Sequence, residues 1–244
     1  MNVIVVKAGG IGERIANDKY TVPKQFIEIK GKPLLIYSME PFQQAKNLDR
    51  IIIACHKDYI DLCWDYVKKF NMTKVSDIVE GGETTQDSFD RGVDCAMQYM
   101  TDDDVILVGD AVRPLVASST VEGMIEMAVK YGAAGGGVKM AECSFSYPTG
   151  KETEYNYLGN DNGILSKTPQ AIKLGKYFEY RQAAMDMGIW ENCPALCALS
   201  VNTGNPYKFV PDCPYNLKIT YEAQLDFFRM IVENDLIESI TSIK

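Results

Sequence analysis

Short apolar, β-branched runs alternate with segments of helical period from the first residues onward, and this alternation limits the possible folds more than any other feature. Strand-like runs cover residues 2–6, 50–54, 75–79 and 105–108, with an extended stretch at 132–138. Between them, residues 34–44, 59–70, 86–100 and 119–130 carry helical periodicity. Strands separated by helices imply βαβ units. The expected architecture is therefore α/β: a Rossmann-like, mostly parallel twisted sheet with helices on both faces. Ligands in such folds sit beyond the carboxyl ends of the strands, so the loops at 8–25, 80–88 and 109–116 are expected to share one crevice. From 139 to 165 the pattern breaks in a stretch that includes SFSYPTGKETEYNYLGNDNG, which reads as a protruding arm. Regularity returns with a helix near 176–187, a strand near 207–210 and a helix over 221–233. The 244 residues are expected to form one domain, 1–244, with the arm inserted into it.

A net charge of −8 with acidic and basic residues interspersed argues against a nucleic-acid partner, which requires clustered Lys and Arg. It leaves a nucleotide open, since one site needs only a few local cations. With no apolar run of about 18 residues and no signal-peptide pattern, the chain is expected to be cytoplasmic, without a membrane span. The seven cysteines are odd in number and include no C-x-x-C pair, which fits reduced thiols. Cys193 and Cys197 lie one helical turn apart, but with His56 as the lone histidine a zinc site would need two further, scattered ligands.

The first strand runs into Ala8-Gly9-Gly10-Ile11-Gly12-Glu13-Arg14. Glycines allow backbone N–H groups to crowd around phosphate oxygens, and Arg14 adds a forked donor suited to phosphate. An ordinary glycine-rich turn is the alternative. The segment lacks the Gly-Lys-Ser/Thr ending of a Walker loop, and a dinucleotide fingerprint would need glycine where Arg14 or Ile15 stands. In Pro23-Lys24-Gln25-Phe26, the proline and the aromatic ring are expected to hold Lys24 in place instead of leaving it solvated. Two cations and a glycine loop suit a triphosphate under attack at its α-phosphate. Asp110, at a strand end, reads either as a ligand for a hard metal or as a helix N-cap ahead of Val112.

Six segments, AGGIGER, PKQFIEIKGKPLL, GGETTQDS, GDAVRPL, KTPQ and NLKIT, occur in an order that resembles one cytidylyltransferase family. It contains 2-C-methyl-D-erythritol 4-phosphate cytidylyltransferase and ribitol-5-phosphate cytidylyltransferase. The likeness extends from Val3 to about Ile231, and the GGIG and NLKIT spellings are closer to the ribitol phosphate branch. It implies transfer of CMP from CTP to a small phosphorylated alcohol, with Mg2+ on the phosphates. Lys7, Ala8, Gly9, Gly10 and Gly12 then belong to the loop that wraps the nucleotide, and Arg14 and Lys24 stabilise the transition state. Gly81, Gly82, Glu83 and Ser88 match the loop that reads cytosine. Asp110, followed by Ala111, matches the acid near the ribose and the magnesium-bound phosphates, and Lys218 the lysine that positions the incoming phosphate. Arg113 is expected to be structural. The resemblance also implies a homodimer formed through the arm.

Departures fall on the acceptor side. Thr85 stands where the family usually has Arg, and Glu142 and Cys143 replace an Asp-Thr pair. The arm lacks its usual Arg, with Lys167 the nearest cation, and Asn192 and Cys193 replace a Thr-Asp pair. An active enzyme with an altered acceptor pocket is expected, ribitol 5-phosphate being the first choice of acceptor. The alternatives are an unrelated phosphate or phosphonate acceptor, or a homologue that binds nucleotide without turnover.

Overall fold

The structure is a computed structural model that describes residues 1–10, 20, 22–146, 150, 153–159 and 163–242. In chain order the elements are β1 (Asn2–Ala8), β2 (Glu28–Ile29), β3 (Lys32–Pro33), α1 (Leu34–Gln44), β4 (Arg50–Cys55), α2 (Ile60–Lys69), β5 (Val75–Glu80), α3 (Thr85–Ala96) and β6 (Val105–Asp110). There follow α4 (Ser118–Tyr131), β7 (Ala133–Lys139), β8 (Ser144–Ser146), β9 (Asn156–Gly159), β10 (Ile164–Lys173), α5 (Leu174–Asp186), α6 (Leu196–Asn202), β11 (Lys208–Pro211), α7 (Glu222–Glu233) and α8 (Ile237–Thr241).

Seven strands form one sheet in the order β11-β7-β10-β6-β1-β4-β5. β1 pairs in parallel with β4 and β6, β5 with β4, and β11 with β7; β10 alone runs antiparallel to its two neighbours. The expected α/β architecture is what the chain adopts. Alternation along β1 shows how the layers arise. Ile4, Val6 and Ala8 face one way and pack with α1, α2 and α4 through Met39, Phe42, Val67 and Ile125. Val3 and Val5 face the other way and pack with α3, α5 and α6 through Phe89, Val93, Tyr177 and Leu196. A third cluster seats α7 against the 27–37 segment and the chain after β6, through Phe228, Leu225, Ile29 and Leu115.

One close approach fixes the position of α3. A Cβ on Gly92 would lie 2.3 Å from Val5 Cγ1, so glycine lets the helix settle directly onto β1. The start of α3, and the loop ahead of it, are thereby held at the carboxyl end of the sheet.

The structure departs from expectation chiefly after residue 139. The arm holds a two-stranded ladder of β8 and β9 where no regular structure is expected, and β10 begins inside its predicted span. β10 is not legible in the sequence because residues 164–168 are exposed or half-buried and follow apolar Ile164 and Leu165 with polar residues, without alternation, and only residues 169–172 are buried. Its pairing with β7 also shifts register between Lys167 and Gln170. The short strands β2 and β3 and the helices α6 and α8 were likewise not anticipated, and α3 ends at Ala96 instead of residue 100.

Candidate active site

The loops after β1, β5 and β6 converge on a cavity of about 330 Å³. Lys7, Ala8, Gly9, Gly10, Lys24, Gly82, Glu83, Ser88, Asp110, Ala111 and Lys218 all border it. Gly81 stands behind the wall, its N–H donating to the Cys55 carbonyl at 2.7 Å. Gly12 and Arg14 lie outside the described residues.

The chain holds Lys24 through the residues around it. Pro23 precedes a single 3-10 turn, and Phe26, 2% exposed, stacks on Tyr59 and Tyr66 with ring centroids 5.3 and 6.3 Å away. Gln25, to which the sequence reading gave no role, fastens this turn to the glycine loop. Its buried side-chain amide donates to the Ala8 carbonyl at 2.7 Å and the Gly10 carbonyl at 2.9 Å.

Residues 82–88 are shaped by a capping box. The Thr84 hydroxyl accepts from the Asp87 N–H at 3.0 Å while the Asp87 carboxylate accepts from the Thr84 N–H at 3.0 Å. The Ser88 hydroxyl accepts from the Gly82 N–H at 3.0 Å and donates to the Thr84 carbonyl at 3.0 Å, so Ser88 borders the cavity while tying its loop together. A Cβ on Gly82 would come within 2.2 Å of Asp87 Cβ, which leaves room for glycine alone.

Asp110 is the electrostatic centre. It closes β6 and is 6% exposed; the next helix starts only at Ser118, so the N-cap alternative does not describe it. Its Oδ2 accepts from the Thr168 hydroxyl at 2.8 Å and from Arg113 Nε at 3.1 Å. Its Oδ1 faces Lys218 Nζ at 3.4 Å and Lys7 Nζ at 3.6 Å. Burial pushes the carboxyl pKa up, but Lys7, Lys218 and Arg113 together with the Thr168 hydroxyl outweigh it and hold it well below the ordinary carboxylate range. Arg113 also donates from its guanidinium to the Asn216 carbonyl at 3.2 Å. Asn216 in turn donates to the Thr168 carbonyl at 2.9 Å, which joins the KTPQ and NLKIT segments. Thr168 and Asn216 were missed because polar contacts between distant segments leave no periodic signal. Half-buried Lys167 does not border the cavity; burial, with Arg113 nearby, lowers its pKa.

The arrangement suits an anionic substrate. Among the described residues Lys7, Lys24 and Lys218 border one cavity with Asp110 its one buried carboxylate, and Gly9 and Gly10 border it beside them. Among the described residues no group of three or more His, Cys, Asp or Glu side chains could cage a metal. Asp110 is the buried carboxylate bordering the cavity that could contribute to holding a magnesium ion, the other ligands then being substrate phosphate oxygens and water.

Two of the acceptor-side departures meet in space. Thr85 and buried Cys193 border a second cavity of about 40 Å³, between α3 and the 190–196 segment. The Gln86 amide closes this side by donating to the Trp190 and Cys193 carbonyls, each at 3.1 Å. Glu142 and Cys143 are exposed at the base of the arm, and Asn192 is exposed beside Cys193.

Comparison with known proteins agrees with this geometry. A ribitol-5-phosphate cytidylyltransferase of Streptococcus agalactiae is 30% identical over 234 residues, covering 96% of each chain. One from Vibrio parahaemolyticus is likewise 30% identical, with 96% of both chains covered. A 2-C-methyl-D-erythritol 4-phosphate cytidylyltransferase of Clostridium botulinum is 34% identical over 171 residues, 70% of this chain and 72% of its own. The fold is that of the Francisella tularensis 2-C-methyl-D-erythritol 4-phosphate cytidylyltransferase, with a TM-score of 0.71 at 22% identity, covering 94% of this chain and 98% of that one. The 4-diphosphocytidyl-2C-methyl-D-erythritol synthase of Anaerococcus prevotii superposes with a TM-score of 0.73 at 18% identity, covering 95% and 96%. Residues 2–234 match the model of the IspD family, described as 2-C-methyl-D-erythritol 4-phosphate cytidylyltransferase, and the chain belongs to that family.

Proposed function

We propose that this enzyme transfers CMP from CTP to ribitol 5-phosphate, giving CDP-ribitol and pyrophosphate. The observation that carries the reading is the cavity bordered by Lys7, Lys24, Lys218 and Asp110 at the ends of β1 and β6. The similarity to ribitol-5-phosphate cytidylyltransferases over 96% of the chain supports the choice of acceptor.

In this reading an oxygen of the acceptor phosphate attacks the α-phosphorus of CTP, and the bond from that phosphorus to the bridging oxygen of pyrophosphate breaks. No covalent enzyme intermediate forms, so positioning and charge carry the catalysis. The backbone of residues 8–10, with Gly12 beyond it, cradles the triphosphate. Arg14 and Lys24 stabilise the charge that grows on the α-phosphate. Glu83 and the backbone of residues 81–88 accept from the cytosine amino group. Lys218 positions the acceptor phosphate. Asp110 would help to hold a magnesium ion, which when bound would neutralise charge on the leaving phosphates. The chain acts in the cytoplasm as one domain, paired with a second copy through the arm, whose exposed Phe145, Tyr155 and Tyr157 suit an interface. Among the described residues no helix is long and apolar enough to cross a membrane.

The cavity beside Thr85 and Cys193 favours a second reading, in which the acceptor is an unrelated phosphate or phosphonate. A thiol is a weak partner for a polyol hydroxyl. Pyrophosphate release with CTP and Mg2+ against ribitol 5-phosphate, methylerythritol 4-phosphate and a panel of phosphorylated small molecules separates these outcomes. Ribitol 5-phosphate is expected to give the highest kcat/KM. Turnover of methylerythritol phosphate above about 10⁴ M⁻¹s⁻¹ would sink the altered-pocket argument. Tight CTP binding without turnover of any acceptor would point to a non-catalytic homologue.

A further inference from the structure

Lys7 is the charged residue of a strand otherwise built from Val, Ile, Ala and one terminal Asn. Alternation puts its side chain on the face shared by Val3 and Val5, opposite to Ala8, so it enters the site from beneath the sheet's α3 side. In the parallel ladder with β6 its register partner is Asp110. The side chain is 15% exposed and borders both the larger cavity and the smaller one beyond it.

The two oxygens of Asp110 are held differently. Oδ2 is fixed by Thr168 at 2.8 Å and Arg113 at 3.1 Å, and neither residue borders the larger cavity. Oδ1 is approached by two lysines at 3.4 and 3.6 Å, the second beyond good hydrogen-bond length, and both of these border it. Three cations thus meet one carboxylate. Among the described residues the Asp110 carboxylate is the one anion within ion-pair distance of Arg113, Lys7 and Lys218, so this cluster carries net positive charge. A buried ammonium without a matched anion is costly to keep and signals that the anion arrives with the ligand.

We infer that the Lys7 ammonium is a phosphate anchor, held loosely by Asp110 in the free protein and passed to a substrate phosphate when one enters the cavity. The inference rests on the proposed function but concerns the side chain of Lys7, not the backbone of the loop that begins beside it. It makes Lys7 a binding residue that reaches phosphate from the α3 side of the sheet. The phosphate belongs either to the nucleotide or to the acceptor.

The test compares the wild type with Lys7→Met and Lys7→Arg by isothermal titration with CTP, tripolyphosphate and cytidine, and with ribitol 5-phosphate added to the CTP-saturated protein. Loss of a charged hydrogen bond to phosphate is expected to weaken a phosphate-bearing probe by about 10–100-fold in Lys7→Met. Cytidine affinity should stay unchanged, and Lys7→Arg should recover most of the loss. A loss shared by CTP and tripolyphosphate assigns the anchor to the nucleotide; a loss confined to ribitol 5-phosphate assigns it to the acceptor. Thermal melting guards against a merely structural role, since Asp110 keeps Arg113 and Lys218 in the variant. A lowered melting temperature with wild-type affinity for every phosphate probe overturns the inference and leaves the proposed reaction standing. Should Lys7→Met fail to fold, Lys7→Gln is measured in the same way. A wild type that binds neither CTP nor tripolyphosphate overturns both.

Discussion

Asp110→Asn keeps the shape of the side chain and removes its charge. In the folded protein that charge faces Arg113 and Lys7, 14% and 15% exposed, and Lys218, 38% exposed. The exposed lysine contributes little because solvent screens it. Removing one partner from a buried pair typically costs about 3–5 kcal/mol, and here it leaves three cations crowded together without a counter-charge. For a chain of this size each kcal/mol lowers Tm by about 2–4 °C, so the expected drop is about 6–20 °C. The pH dependence supplies a second check. The folded carboxyl lies below its unfolded value near 3.8, so its stabilisation is complete above that pH and is lost as pH falls from there toward the lower folded value. Melting curves of wild type and variant should therefore be separated by the full amount at pH 7 and pH 5 and draw together below about pH 4. A gap under about 2 °C at pH 7, or one that persists unchanged at pH 3, would refute the view that the charge of Asp110 organises the site.

Lys24→Ala should lower kcat by about 10²–10³-fold while weakening CTP binding much less, as expected for a donor aimed at charge developing in the transition state; equal losses in a pyrophosphate-release assay would make it a ground-state anchor. CTP should be preferred over UTP by roughly 10⁴-fold in kcat/KM, and Glu83→Ala should narrow the ratio. Gly92→Ala should cost about 1–3 kcal/mol by driving a methyl group to within 2.3 Å of Val5 Cγ1, and Val5→Ala in the same chain should recover part of it in denaturant melts. Replacing Phe145 and Tyr157 together by Ser should turn a dimer into a monomer by light scattering; an unchanged dimer would place the contact outside the arm.

The buried strands and the helix over Leu34–Gln44 were legible because burial on both faces of a parallel sheet leaves continuous apolar runs in the sequence. The meeting of the glycine loop, residues 82–88 and Asp110 followed from topology alone, since strand ends of one sheet share an edge. What stayed hidden has a common cause. Gln25, Thr168 and Asn216 act through polar contacts between segments distant in sequence, and Thr168 and Asn216 reach across 48 residues of chain. No periodicity announces such pairs, and an amide or hydroxyl in a loop looks the same whether it binds solvent or backbone. β10 was illegible for a related reason, because its outer half borrows its order from β7 and mixes exposed apolar and polar residues without alternation.

The register shift in β10 has a consequence for how the protein can change over time. Residues 164–167 pair with 139–136, and residues 170–172 pair with 135–133, so Thr168 and Pro169 are extra relative to β7. Residues 170–173 are independently keyed to β6. The bulge therefore acts as an expansion joint: slack introduced in the arm is absorbed before it reaches the strand that carries Asp110. Insertions, deletions or wholesale replacement between Lys139 and Ile164 should leave the pairing of residues 170–173 with β6 in place. A lineage can remodel the arm, and with it any surface the arm recognises, while the strand that carries Asp110 stays in place.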